Sequence, residues 1–122
     1  MNIKDDFQKI KEYFSPKVIG EVNDSYIKIA KIKGDELPWH VHKNEDEFFY
    51  ILEGKLFMEV EHKKGFLMQT GDYHLVKKGM KHRISSKEEC KIMLIEHKDT
   101  AHTGEVKSKI TRSIKDQLQG IS

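Results

Sequence analysis

Between Gly34 and His82, glycines, histidines and one glutamate recur in two blocks. The first holds Gly34, His40, His42, Glu47 and Gly54; the second holds Gly71, Gly79 and His82. The stretch between Gly54 and Gly71 is long enough for a hairpin and its return strand. His40 and His42 stand two residues apart, and on a strand such a pair projects from one face, because side chains alternate with period two. Both imidazoles can then meet one ion. Glu47 opens the run Glu47-Phe48-Phe49-Tyr50-Ile51-Leu52, whose aromatic and β-branched residues favour a strand that brings its carboxylate in from a neighbouring position. His82 is expected to arrive from a later strand.

Three neutral imidazoles and a carboxylate suit a borderline divalent ion such as iron, manganese, nickel, cobalt or zinc. No thiolate belongs to the group, so it does not resemble a structural zinc site. A His-x-His pair alone is a weak signal; Glu47, the spaced glycines and His82, in that order, make it specific. Glu47 has an alternative role, accepting a hydrogen bond from a ligand histidine rather than binding the ion itself.

The two blocks resemble the two sequence motifs of the cupin superfamily, in particular its small single-domain members. Gly34, His40, His42, Glu47 and Gly54 match the first motif at each defining position, and Gly71, Gly79 and His82 fit the second. Lys77 stands where cupins usually carry proline, and Ser86 where they often carry asparagine; neither departure removes a ligand. The resemblance spans Lys17 to Thr103. It implies an all-β fold, a small antiparallel β-barrel of the double-stranded β-helix or jelly-roll type, with His40, His42, Glu47 and His82 holding a divalent metal inside.

Four protein ligands on an ion that prefers six leave two positions open to substrate, water or dioxygen. One reading is therefore a metal-dependent enzyme acting on a small polar substrate, of isomerase or dioxygenase type. Phe49, Ile51, Ile84 and Leu94 would line its pocket, and Tyr50, Glu53 and His74 are the candidate acids or bases. Small single-domain cupins include proteins similar to phosphomannose isomerase, others similar to dioxygenases, and many with no known reaction, so the resemblance does not choose. The other reading is a non-catalytic module that binds a metal or small molecule for sensing or storage. A DNA-binding domain beside the barrel, such as sensing cupins usually have, is not expected within these 122 residues.

The rest of the chain fits around this stretch. The 122 residues suit one domain. Expected boundaries are an N-terminal helical segment 1–16, a barrel 17–104 and a tail 105–122. Ile3, Phe7, Ile10 and Phe14 form an apolar stripe at helical spacing, predicting a helix from Ile3 to Phe14 that packs on the barrel and ends before Pro16. Tyr26 to Ile32 alternates imperfectly as a strand. The run from Glu47 is apolar on both faces, so Phe48, Tyr50 and Leu52 need a cover, either the helix or a second subunit in a homodimer. His62, His97 and His102 read as surface residues, and Cys90, the single cysteine, as a packed small side chain. Ile110, Ile114 and Leu118 suggest a short C-terminal helix.

The 22 basic and 20 acidic residues are interleaved, which leaves no electrostatic footprint for nucleic acid. Neither a signal-peptide run nor a membrane span is evident, and a cytoplasmic location is expected.

Overall fold

The computed structural model describes residues 1–104 and 111–118. Its elements, in chain order, are α1 (Ile3–Gln8), β1 (Lys17–Val22), β2 (Ser25–Gly34), β3 (Glu47–Glu53), β4 (Lys55–Val60), β5 (Phe66–Gln69), β6 (Tyr73–Val76), β7 (His82–His97) and α2 (Ile114–Leu118). All strand pairings are antiparallel. One ladder runs β1-β2-β7-β3-β6, and β4 joins β7 with β5 at its side.

β7 is the element shared by both parts of the barrel. Its first residues pair with β4, from Val60 opposite His82 to Phe57 opposite Ser85. Its second half lies between β2 and β3, as the apolar run from Cys90 to Ile95 predicts. The changeover falls at Ser86, whose hydroxyl donates to the Lys55 carbonyl at 2.8 Å while the register to β2 shifts between Ile32 and Gly34. The strands thus curl around one apolar interior, the cupin-type barrel expected, although their ladder does not close edge to edge among the described residues.

Parity along the strands assigns the core. Phe49 and Ile51 of β3, Ala30 and Ile32 of β2, Leu56 and Met58 of β4, and Cys90, Ile92 and Leu94 of β7 all point inward. Each fully buried aliphatic side chain among them is worth about 1.5 to 3 kcal/mol relative to exposure. The opposite face of β2, β3 and β7 presents Ile29, Leu52 and Met93 to Phe7 and Ile10. The N-terminal segment therefore covers part of the outer apolar face.

That segment departs from the expected helix. Asn2 caps α1, accepting from the backbone N–H groups of Lys4 and Asp5 at 2.9 and 3.2 Å. The helix nevertheless stops at Gln8 rather than continuing to Phe14. Tyr13 instead forms a parallel bridge to Lys31, and Phe14, with φ of 55°, turns the chain into β1. Tertiary pairing overrides local spacing here, yet Phe7, Ile10 and Phe14 are all buried as the stripe required. At the other end α2 contains Ile114 and Leu118; Ile110 lies outside the described residues. No helix among the described residues is long and apolar enough to cross a membrane.

Candidate metal centre

His40 and His42 do not sit on a regular strand. They follow Pro38 in an extended connection to β3 and touch the sheet at one bridge, His40 opposite His82. Two backbone hydrogen bonds make that bridge, His40 N–H to His82 O at 3.0 Å and His82 N–H to His40 O at 2.9 Å. Gly79 N–H donates to His42 O at 2.8 Å, so the second glycine block fastens the first. Extended geometry over three residues suffices to keep both imidazoles on one side. Glu47 then points inward as the first residue of β3, and His82 as the first of β7.

The four side chains converge. One ligand atom from each of His40, His42, Glu47 and His82 lies within 4.8 Å of the others. Atoms bound to one ion at about 2.0 to 2.2 Å stand roughly 3 to 4 Å apart, so small rotamer adjustments complete a sphere. All four residues are buried, with exposures from 0% to 6%.

Their hydrogen bonds show what the cluster is prepared to hold. His40 Nδ1 lies 2.9 Å from the Pro38 carbonyl and His82 Nδ1 3.0 Å from the Met80 carbonyl. A carbonyl only accepts, so each Nδ1 carries a hydrogen, and in the neutral ring Nε2 keeps its lone pair for an ion. Neither ring nitrogen of His42 has a hydrogen-bond partner despite burial, and its Nε2 stands 3.5 Å from Glu47 Oε1, long for a hydrogen bond. Glu47 Oε1 is 3.1 Å from His82 Nε2. Electron pairs this close and this dry need a cation between them, a proton or a metal. The donor set fits a divalent ion.

Electrostatics follow from that crowding. Burial, reinforced by the charge on His82, lowers His40 to about 4. Burial also works against a charged His82, but the Glu47 carboxylate overcomes it and raises that imidazole. Glu47 is disfavoured as an anion by burial; His42, His82 and Glu96 outweigh this and hold it well below the ordinary carboxylate range.

Two further charged residues stand behind Glu47, and the sequence reading missed both. Lys28 is fully buried, and Glu96 is 5% exposed. Lys28 shares the inward parity of Ala30 and Ile32, and its Nζ lies 2.7 Å from Glu96 Oε1. Glu96 in turn faces Glu47 across the β3–β7 pair. Burial and the Glu47 charge push Glu96 well above the carboxylate range, against the pull of Lys28. A proton on Glu96 makes it a donor toward Glu47 and accounts for an Oε2 otherwise without a partner.

Next to the ligands is a cavity of about 30 Å³, bordered by His40, Glu47 and His82 and walled by Phe49, Ile84 and Leu94 among other apolar side chains. Ile51, expected there, instead packs in the core with 0% exposure. Tyr50, Glu53 and His74 do not line this cavity. Tyr50 is on the outer parity of β3, Glu53 is exposed with Lys91 Nζ at 3.1 Å, and His74 sits edge-on to Phe66 with centroids 5.0 Å apart. His97 and His62 are at the surface, with side chains 44% and 87% exposed. His102 is not a surface residue: it borders the cavity. Burial and its imidazole neighbour His40 lower it to about 4. Cys90 is buried, and burial together with Glu53 pushes its thiol up to about 11, which removes it as a nucleophile.

Comparison with known proteins agrees with this geometry. The family model described as the cupin domain matches residues 31–96. An uncharacterized protein, YdbB, of Bacillus subtilis is 34% identical over 90 residues, covering 74% of this chain and 79% of that protein. A cupin-2 domain containing protein from Shewanella frigidimarina superposes with a TM-score of 0.76 at 37% identity, over 80% of this chain and 93% of the other. Protein NMB1881 from Neisseria meningitidis does so with 0.72 at 28% identity, over 80% and 97%. An antiparallel barrel whose interior gathers three imidazoles and a carboxylate from the two motif blocks places the chain in a family: it belongs to the cupins.

Proposed function

We propose that this protein is a metal-dependent enzyme in which His40, His42, Glu47 and His82 bind one divalent ion and present it to a small molecule, with oxidation by dioxygen favoured over isomerisation. The observation that carries the preference is the cavity. At about 30 Å³ it has room for roughly two water-sized groups. Among the described residues it has no lysine or arginine in its lining to neutralise a phosphate. A phosphate group would find no countercharge in that lining, whereas a diatomic molecule or the polar end of a small substrate needs none.

The bound ion would supply Lewis acidity and, if iron, dioxygen binding. The chain's own contribution is orientation and exclusion of water. Pro38 and Met80 carbonyls aim two imidazoles, Glu96 steadies Glu47, and the apolar walls keep the dielectric low, which strengthens every charge interaction inside. The test is oxygen uptake by iron-loaded protein over a panel of small oxidisable molecules, beside an isomerisation screen over sugar phosphates. Oxygen consumption coupled to substrate loss is expected. Turnover of sugar phosphates without dioxygen would refute the preference.

A homodimer is supported by the part of the outer face that α1 leaves bare. Phe48 and Tyr73 lie there with ring centroids 5.8 Å apart, and Tyr73 and Leu75 are 70% and 43% exposed. Apolar groups gathered this way commonly mark an interface. Sedimentation equilibrium at micromolar concentration should report twice the chain mass; monomer alone would exclude the dimer.

A further inference from the structure

Beyond β7 the chain returns toward the metal ligands, and the return is closely fitted. Gly104, with φ of +60°, lies against the backbone of Val41, between His40 and His42; a Cβ there would stand 2.2 Å from the Val41 carbonyl oxygen. Thr100 and Thr103 are fully buried. The segment brings one imidazole, His102, to the cavity wall beside His40, Glu47 and His82.

The tautomer of that imidazole follows from its partner. The backbone N–H of Arg112 donates to His102 Nδ1 at 2.9 Å. A backbone amide can only donate, so Nδ1 holds a lone pair, and in the neutral ring the hydrogen sits on Nε2. A ring that accepts at Nδ1 is the neutral imidazole, because the imidazolium has no lone pair there. This tautomer is the opposite of that in His40 and His82, whose Nδ1 atoms donate to carbonyls and whose Nε2 atoms are free to bind an ion. Two of the rings are set as metal ligands; His102 is set as a hydrogen-bond donor.

We propose that His102 is a positioning residue for the molecule taken up at the metal centre, its Nε2–H donating to an oxygen or other anionic atom of a small ligand held between it and the ion. The inference rests on the metal-centre reading and extends it to the ligand's chemistry. The ligand presents a hydrogen-bond acceptor close to its metal-binding atom, and its end within the cavity is only a few heavy atoms in size. A small carboxylate, a linear anion or a diatomic oxygen species has this character. His102 confers the preference for an acceptor over an apolar group, because the walls on either side are hydrocarbon.

The test uses full-length protein loaded with cobalt(II) and titrated with azide, followed by visible absorption. His102→Gln carries a side-chain N–H near the Nε2 position and lacks the acceptor at Nδ1. His102→Asn carries an acceptor near Nδ1 and lacks the donor. Azide affinity close to wild type in His102→Gln, and about tenfold weaker in His102→Asn, is the expected pattern, with cobalt uptake and melting temperature of His102→Asn unchanged. Wild-type azide affinity in His102→Asn would overturn the proposal. So would the reverse pattern, with His102→Gln losing both azide affinity and thermal stability, because that shows His102 only anchoring the returning segment. Cobalt uptake without any azide response in wild type would overturn it and leave the metal reading standing; failure to take up cobalt would overturn both.

Discussion

Replacing Lys28 by methionine should cost about 3 to 5 kcal/mol, because it leaves a buried carboxyl pair without its cation. Lys28 is fully buried and its ammonium is 2.7 Å from Glu96, which itself faces Glu47. A surface pair of that length would contribute under about 1 kcal/mol. Neither the ammonium nor the carboxyl pair, which holds one proton on Glu96 and one negative charge on Glu47, can recover its solvation in water, so loss of Lys28 leaves that charge without its cation. Glu96→Gln should cost far less, within about 1 kcal/mol, because the glutamine oxygen can accept from the ammonium and its amide can donate to Glu47 as the protonated carboxyl does. Urea unfolding of chelator-treated protein measures the three species, and Lys28→Met should lower the midpoint by roughly 2 M while Glu96→Gln stays near wild type. A Lys28→Met variant within about 1 kcal/mol of wild type, or a Glu96→Gln variant as destabilised as Lys28→Met, would refute the reasoning.

Gly104→Ala should destabilise by about 2 kcal/mol or more, since the new methyl meets the Val41 carbonyl and the backbone is left-handed there; a melting temperature within 2 °C of wild type (roughly the error of the scan) would count against the contact. Acid should weaken the metal-free protein between about pH 6.5 and 4.5. His40 and His102, both lowered to about 4, stay neutral in the fold while their unfolded counterparts take up protons, so stability falls with pH. Raised Glu96 acts in the opposite sense, holding a proton in the fold that the unfolded chain has lost, and cancels one imidazole. About one proton's slope remains, roughly 1.4 kcal/mol per pH unit, and a flat or rising stability on acidification contradicts it. His42→Ala should lose metal binding yet keep its β-type circular dichroism, because the core is apolar and formed by other residues; an unfolded variant would make the ion structural.

Much of the barrel was legible because its signals are local. Glu47, Phe49 and Ile51 alternate with Phe48, Tyr50 and Leu52, and the alternation survives as buried and half-buried faces of β3. The four ligands were readable because residue types and order within the motif blocks encode convergence without requiring the exact path; the path itself, an extended connection rather than a strand at His40, was not. Lys28 and Glu96 escaped because a lysine between two isoleucines is ordinarily solvated, and only the pairing of β2 and β3 with β7 shows that both charges face inward. His102 escaped for a similar reason: nothing in its immediate neighbours tells where a segment after the last strand will lie. Gly104, two residues on, was the available hint that this segment approaches backbone closely.

The central claim is that His40, His42, Glu47 and His82 hold one ion. Elemental analysis of the protein purified without added metal or chelator, and again after reconstitution, tests it most directly, with His82→Ala prepared in parallel. About one divalent ion per chain in wild type, and a small fraction of that in the variant, is the predicted result. Wild-type protein that stays metal-free after reconstitution, or a variant that retains its full metal content, would contradict it.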